Sequence, residues 1–155
     1  MLKLTKKADY GLIAMRHLAE HGRSFSAKDL AESYGMPQEA LAKILQRLAK
    51  AGLLTSQHGM NGGYTLAREA RRISALEVIK AIDGPLFITS CYSTKRGECD
   101  QTERCTVREP LRRVGESIQQ VLSGLTIADM CRPADAEPVE EKTAERPAAE
   151  LVTLA

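Results

Sequence analysis

The chain has 155 residues, 43% of them hydrophobic but only 4% aromatic, with no Trp and a formal net charge of +2. This length supports one modest core, and the shortage of aromatics leaves Ala, Leu and Ile to fill it, which favours helices over sheets. No apolar run approaches the roughly 20 residues that span a bilayer, and "MLKLTKKADYG" has lysines without an apolar segment behind them, so a cytoplasmic protein without signal peptide is expected.

The charge is uneven. Residues 1–85 hold 13 Lys and Arg against 8 Asp and Glu, residues 86–131 hold 6 against 6, and residues 132–155 hold 3 against 6. An excess of +5 in the first part permits nucleic-acid binding without requiring it.

Thr5 reads as the N-cap of a first helix, with Ala8, Gly11, Leu12, Met15, Leu18 and Ala19 near one face and Gly22 as its stop. His17 and His21 are expected on its surface. Ser26 and Asp29 form a capping pair for a second helix, whose Leu30, Ala31 and Tyr34 are expected to pack inward. Gly35 makes a turn. Pro37 suits the first position of a third helix running to Lys50, with Leu41, Ile44, Leu45 and Leu48 on its apolar stripe and Gly52 at its end. Leu53–Ser56 and Tyr64–Ala67 read as strands joined by the glycine-rich tip "GMNGG".

Two short helices about a tight glycine turn, followed by a hairpin, read as a winged helix-turn-helix, a DNA-binding unit over residues 1–85. In such a unit the third helix enters the major groove. Its candidate contacts are Gln38, Glu39, Lys43 and Arg47, which carry groups able to read base edges or hold phosphates. Lys6 stands at a helix N-terminus, where the dipole disfavours a cation and a phosphate would favour one. Ser26 opens the second helix. In the wing, His58 and Asn61 are placed to reach the minor groove, and Gly62 and Gly63 would let the backbone approach DNA closely.

Ser74 and Glu77 cap a further helix that ends at "DGPL". Residues 86–106 lack apolar periodicity and read as a loop containing Cys91, Cys99 and Cys105, spaced C-x7-C-x5-C. Their polar and charged neighbours rule out a core role. Paired CxxC zinc spacing is absent, and cytoplasmic thiols stay reduced unless catalytic, sensing or metal-bound. Metal or cluster binding is therefore expected ahead of a thiol switch, since several soft ligands on one segment suit an iron–sulfur cluster. Residues 107–131 read as a long helix and a short terminal turn, with Leu111, Val114, Ile118, Val121 and Leu125 spaced like a coiled-coil seam, which suggests a homodimer. Thr126 and Asp129 cap the turn, and Cys131 is expected to be a packed thiol. Residues 132–155, rich in Pro, Ala and Glu, read as a disordered acidic tail.

The order "LTKKADYGL", "LAKILQRLAKAGLL", "GMNGGYTLA", then three cysteines ahead of an amphipathic helix, resembles the IscR/NsrR family of winged-helix iron–sulfur regulators. The resemblance covers residues 1–131. It implies a mainly α-helical fold with a small β-hairpin wing, and a homodimeric transcription factor, most readily a repressor, bound to a palindromic operator. Cys91, Cys99 and Cys105 would be ligands of a [2Fe-2S] or [4Fe-4S] cluster. Where IscR-like members carry a fourth-ligand His this chain has Arg108, which cannot ligate iron. The NsrR-like carboxylate position matches Asp9, donated across the dimer; Glu98 and Glu109 are rivals. The expected targets are genes for cluster assembly or for iron and oxidative stress. A nitric-oxide-responsive repressor is the nearest alternative, and a zinc- or thiol-based protein-interaction module is the alternative from another class. No enzyme signature is present.

Overall fold

The computed structural model describes residues 4–59, 62–89 and 104–132. Helix α1 spans Lys6–His21, and Thr5 caps it by accepting a hydrogen bond from the Ala8 amide at 3.2 Å. Helix α2 spans Ala27–Tyr34 behind a complete Ser26–Asp29 capping box. Helix α3 spans Gln38–Lys50. Pro37 precedes it as the N-cap rather than standing inside it, and contributes no side-chain cap. Gly22 and Gly35 close α1 and α2 at φ 60° and 62°, a left-handed turn that costs glycine nothing.

Strands β1 (Leu54–Gln57) and β2 (Gly63–Leu66) pair antiparallel, Leu54 opposite Leu66 and Gln57 opposite Gly63. Each lies one residue from its expected position, because Leu53 is drawn back to hydrogen-bond the Leu48 carbonyl at the end of α3. The hairpin is not free-standing. Phe25 exchanges both backbone hydrogen bonds with Tyr64, at 3.2 and 2.9 Å, and so adds a one-residue rung to β2. Helix α4 (Ala75–Asp83) follows a capping box of Ser74 and Glu77. Helix α5 spans Arg108–Gly124, and the last helix, α6, is the single turn Ile127–Met130 behind a Thr126–Asp129 capping box.

The core lies where α1, α3 and α4 converge, with Met15, Leu30, Leu41, Leu45, Leu48, Ile73, Val78 and Ile127 fully buried. The expected stripe of α3 is the buried one. His17 is a correction: it is only 8% exposed. Its ring lies edge-on to Phe25 and stacks on His21. Tyr34, expected inward, is 43% exposed; its ring lies edge-on to that of His17 and its hydroxyl is 2.9 Å from His17 Nδ1.

The terminal turn belongs to this core rather than to α5. The Ala75 amide donates to the Leu125 carbonyl at 2.8 Å, and the Ile127 amide donates to the Ile73 carbonyl at 2.9 Å. Leu125 therefore lies past the helix end, not on its seam. Helix α5 itself buries no residue fully, and leaves Val114 49% and Val121 71% exposed. Ile127→Ala should cost about 2–4 kcal/mol by loss of burial and cavity formation. Urea unfolding followed by far-UV circular dichroism checks this; a loss below about 0.5 kcal/mol would mean that α6 is not part of the core.

Candidate nucleic-acid interface and cysteine segment

The polar face of α3 follows from its sequence: once Leu41, Ile44, Leu45 and Leu48 turn inward, Gln38, Glu39, Lys43 and Gln46 face solvent. Gln46 was not among the sequence candidates, although it lies on the same exposed face. Lys43, Glu39 and Arg47 line a groove of about 350 Å³ together with Lys7 from the first turn of α1. Lys6 and Lys7 are both exposed, and among the described residues neither they nor Lys43 form a salt bridge. The structure thus gathers cations from two helices at one groove. Arg47 lines the same groove but is engaged with the protein, donating from Nη1 to the Ile82 carbonyl at 2.7 Å.

Ser26 is committed to its capping box, its hydroxyl accepting from the Asp29 amide and donating to the Asp29 carboxylate. Hydrogen bonding from Ser26 holds that carboxyl below its usual range. In the wing, His58 is exposed and Asn61 lies outside the described residues. Gly62 and Gly63 are small for an internal reason. A Cβ at Gly63 would lie 2.5 Å from the Phe25 carbonyl oxygen, and one at Gly62 would lie 2.5 Å from that of Gln57. Neither neighbour can yield, since both are backbone.

Of the cysteines, Cys91 and Cys99 lie outside the described residues, as does Glu98. Cys105 is a half-buried free thiol just ahead of α5. Asp9 is exposed on the first turn of α1. No group of three or more His, Cys, Asp or Glu that could hold a metal converges among the described residues. The donor chemistry of the segment nevertheless fits iron: three thiols, with Cys105 in no disulfide. Glu109 is a poor rival ligand. Arg112 and Arg113 both bind its carboxylate, and Arg112 above all holds its carboxyl down to about 2. Cys131 donates to the Ile127 carbonyl at 3.3 Å, and burial pushes its thiol pKa up, as suits an inert packed cysteine.

Residues 4–133 match the Rrf2 family, described as iron-dependent transcriptional regulators. The chain belongs to the Rrf2 family. Protein aau3 of Rhizobium meliloti (strain 1021) is 30% identical over 132 residues, covering 84% of this chain and 86% of that protein. Among solved structures, T. potens IscR is 35% identical with a TM-score of 0.63, covering 83% of this chain and 85% of its own. CymR (YrzC), the global cysteine regulator of B. subtilis, is 28% identical with a TM-score of 0.68, covering 84% and 97%. As an Rrf2 protein the chain is a DNA-binding transcriptional regulator with a winged-helix fold, and not an enzyme. No helix among the described residues is long and apolar enough to cross a membrane.

His17 sits directly beneath the attachment of the wing. Burial, ahead of the neighbouring His21, lowers its pKa from the ordinary value of 6.5, and its Nε2 has no partner among the described residues. The folded state therefore resists a proton that the unfolded chain accepts. Stability should be unaffected by His17 above pH 6.5 and fall as pH drops below it. His17→Phe should flatten that fall, measured as the shift in urea midpoint between mildly acid and neutral pH. An unchanged shift would exclude His17 as its source.

Proposed function

We propose that this Rrf2 protein is a homodimeric repressor whose operator binding is set by an iron–sulfur cluster on Cys91, Cys99 and Cys105. The carrying observation is the polar segment between α4 and α5, with three cysteines in a chain whose family is described as iron-dependent. A bound cluster would supply a centre that reacts with oxygen or nitric oxide. Asp9 of the partner subunit is our candidate for the fourth ligand: its carboxylate is exposed and belongs to no metal-ligating group among the described residues.

The division of labour follows the chain. Residues 1–85 read DNA, residues 86–106 hold the cluster, the helix within 107–131 pairs two subunits, and residues 132–155 form an acidic tail. Pairing of α5 would cover Val114, Ile118, Val121 and Leu122, which line an open apolar face of about 430 Å³. A two-fold axis there presents two α3 helices to successive half-sites of a palindrome. Lys43 and Lys7 are placed to neutralise phosphates, and Gln38 and Glu39, at the start of α3, to meet base edges. The regulated genes would serve cluster assembly, iron or oxidative stress, in the cytoplasm. A second reading has one support: the likeness to a structure described as a global cysteine regulator favours a protein of this build that answers to a different signal.

Anaerobic purification separates the two. Matching iron and acid-labile sulfide with visible absorption, all lost in Cys105→Ser, is the expected result; a colourless, iron-free protein would favour the second reading. Asp9→Ala should shorten the lifetime of the absorbing species in air without changing the dimer mass, and an unchanged lifetime would remove Asp9 as a ligand.

A further inference from the structure

Arg47 stands on the helix that faces DNA, yet its guanidinium serves another helix. The acceptor of its 2.7 Å bond, the Ile82 carbonyl, belongs to the last turn of α4. The final four carbonyls of an α-helix have no amide four residues ahead to bond them, and the negative end of the helix dipole lies there. A guanidinium at that point satisfies what α4 cannot satisfy alone, through a charge-assisted bond stronger than a neutral one.

The adjacent residue holds the start of α1. The Asp83 carboxylate accepts from the Thr5 hydroxyl at 2.7 and 2.9 Å, and Thr5 is the N-cap of α1. Side-chain packing repeats the pattern: Ile82 is buried against Gly11 of α1, which Ile44 of α3 also approaches. Two consecutive residues at the end of α4 thus hold both helices that line the basic groove. Gly84 follows at φ 85°, and the chain leaves towards the cysteines.

We propose that Arg47 is a positioning residue rather than a DNA contact. It locks α3 to the end of α4, so that a change in the cysteine segment reaches the DNA-facing surface through Ile82 and Asp83. The signal, though not the geometry, rests on the regulatory reading above.

The test begins with iron-free, full-length protein and a mixed-sequence duplex, titrated by fluorescence anisotropy between roughly 50 and 200 mM salt. Each lost phosphate contact lowers the log–log salt slope by about 0.9. Lys43→Met should show that loss. Arg47→Met should weaken binding about fivefold or more at every salt concentration with the slope unchanged, the usual scale of coupling between sites. Asp83→Ala supplies an opposed sign: removing the carboxylate that bonds Thr5, at the start of the helix that carries Lys6 and Lys7, strengthens binding by charge alone, whereas a positioning role weakens it. Thermal melts establish that each variant is folded.

A slope reduced in Arg47→Met as far as in Lys43→Met, or tighter binding by Asp83→Ala, overturns the assignment. Cluster-loaded and iron-free protein are then compared on a duplex selected by the wild type from a random library. Equal wild-type affinities would reject the regulatory reading, while the slopes still judge Arg47. A wild-type difference that persists undiminished in Arg47→Met would reject the relay alone.

Discussion

Three helices meet at Gly11, and the rest of the molecule is arranged around that approach. A Cβ at this position would overlap Ile82 Cδ1 and lie 3.4 Å from Ile44 Cγ2. The missing side chain brings α1, α3 and α4 close enough for Ile44, Leu45, Leu48, Val78 and Ile82 to bury one another. Burial of this kind is the dominant favourable term in a small domain, and it fixes which face of α3 remains outside. The polar face of α3 is the outer one because the apolar face has no freedom to turn.

The wing and the terminal turn are tied in by backbone. The wing is held through Phe25 and Tyr64, and the terminal turn through Ile73, Ala75, Leu125 and Ile127. Helix α5 is the exception. Its Gln119 side chain donates to the Leu86 carbonyl at 3.1 Å and its Gly115 packs on Ile88, while Val114 and Val121 of its apolar stripe stay exposed among the described residues. The helix is tied to the core at its C-terminal end, through the Leu125 carbonyl and the Ala75 amide, and is apolar on its outer face.

Much of this was legible in residue order. The caps at Thr5, Ser26, Ser74 and Thr126 and the stripe of α3 follow from residue order, because a cap and an amphipathic face are local rules that act within one or two turns. The strands were displaced by one residue, because their register is set by Leu53 reaching back to Leu48 and by Phe25 reaching across to Tyr64. Residue order puts His17 on the surface, since an imidazole is amphipathic and it is Phe25 and Tyr34, arriving from outside α1, that enclose it.

The sequence by itself determined the helices, the polar face of α3, the concentration of cysteines between α4 and α5, and the basic excess of residues 1–85. All depend on residue type and near neighbours in the chain. Only the tertiary structure decided the partners of single groups. Arg47 and Lys43 are both cations on α3, and no periodicity distinguishes them. They differ because the end of α4, thirty-five residues away in the chain, presents an unsatisfied carbonyl to one and not to the other. Gly63 and Ile127 are likewise explained by segments distant in sequence, the Phe25 backbone and the Ile73 carbonyl. Such pairings form when burial brings remote backbone together, and local propensity carries no information about them.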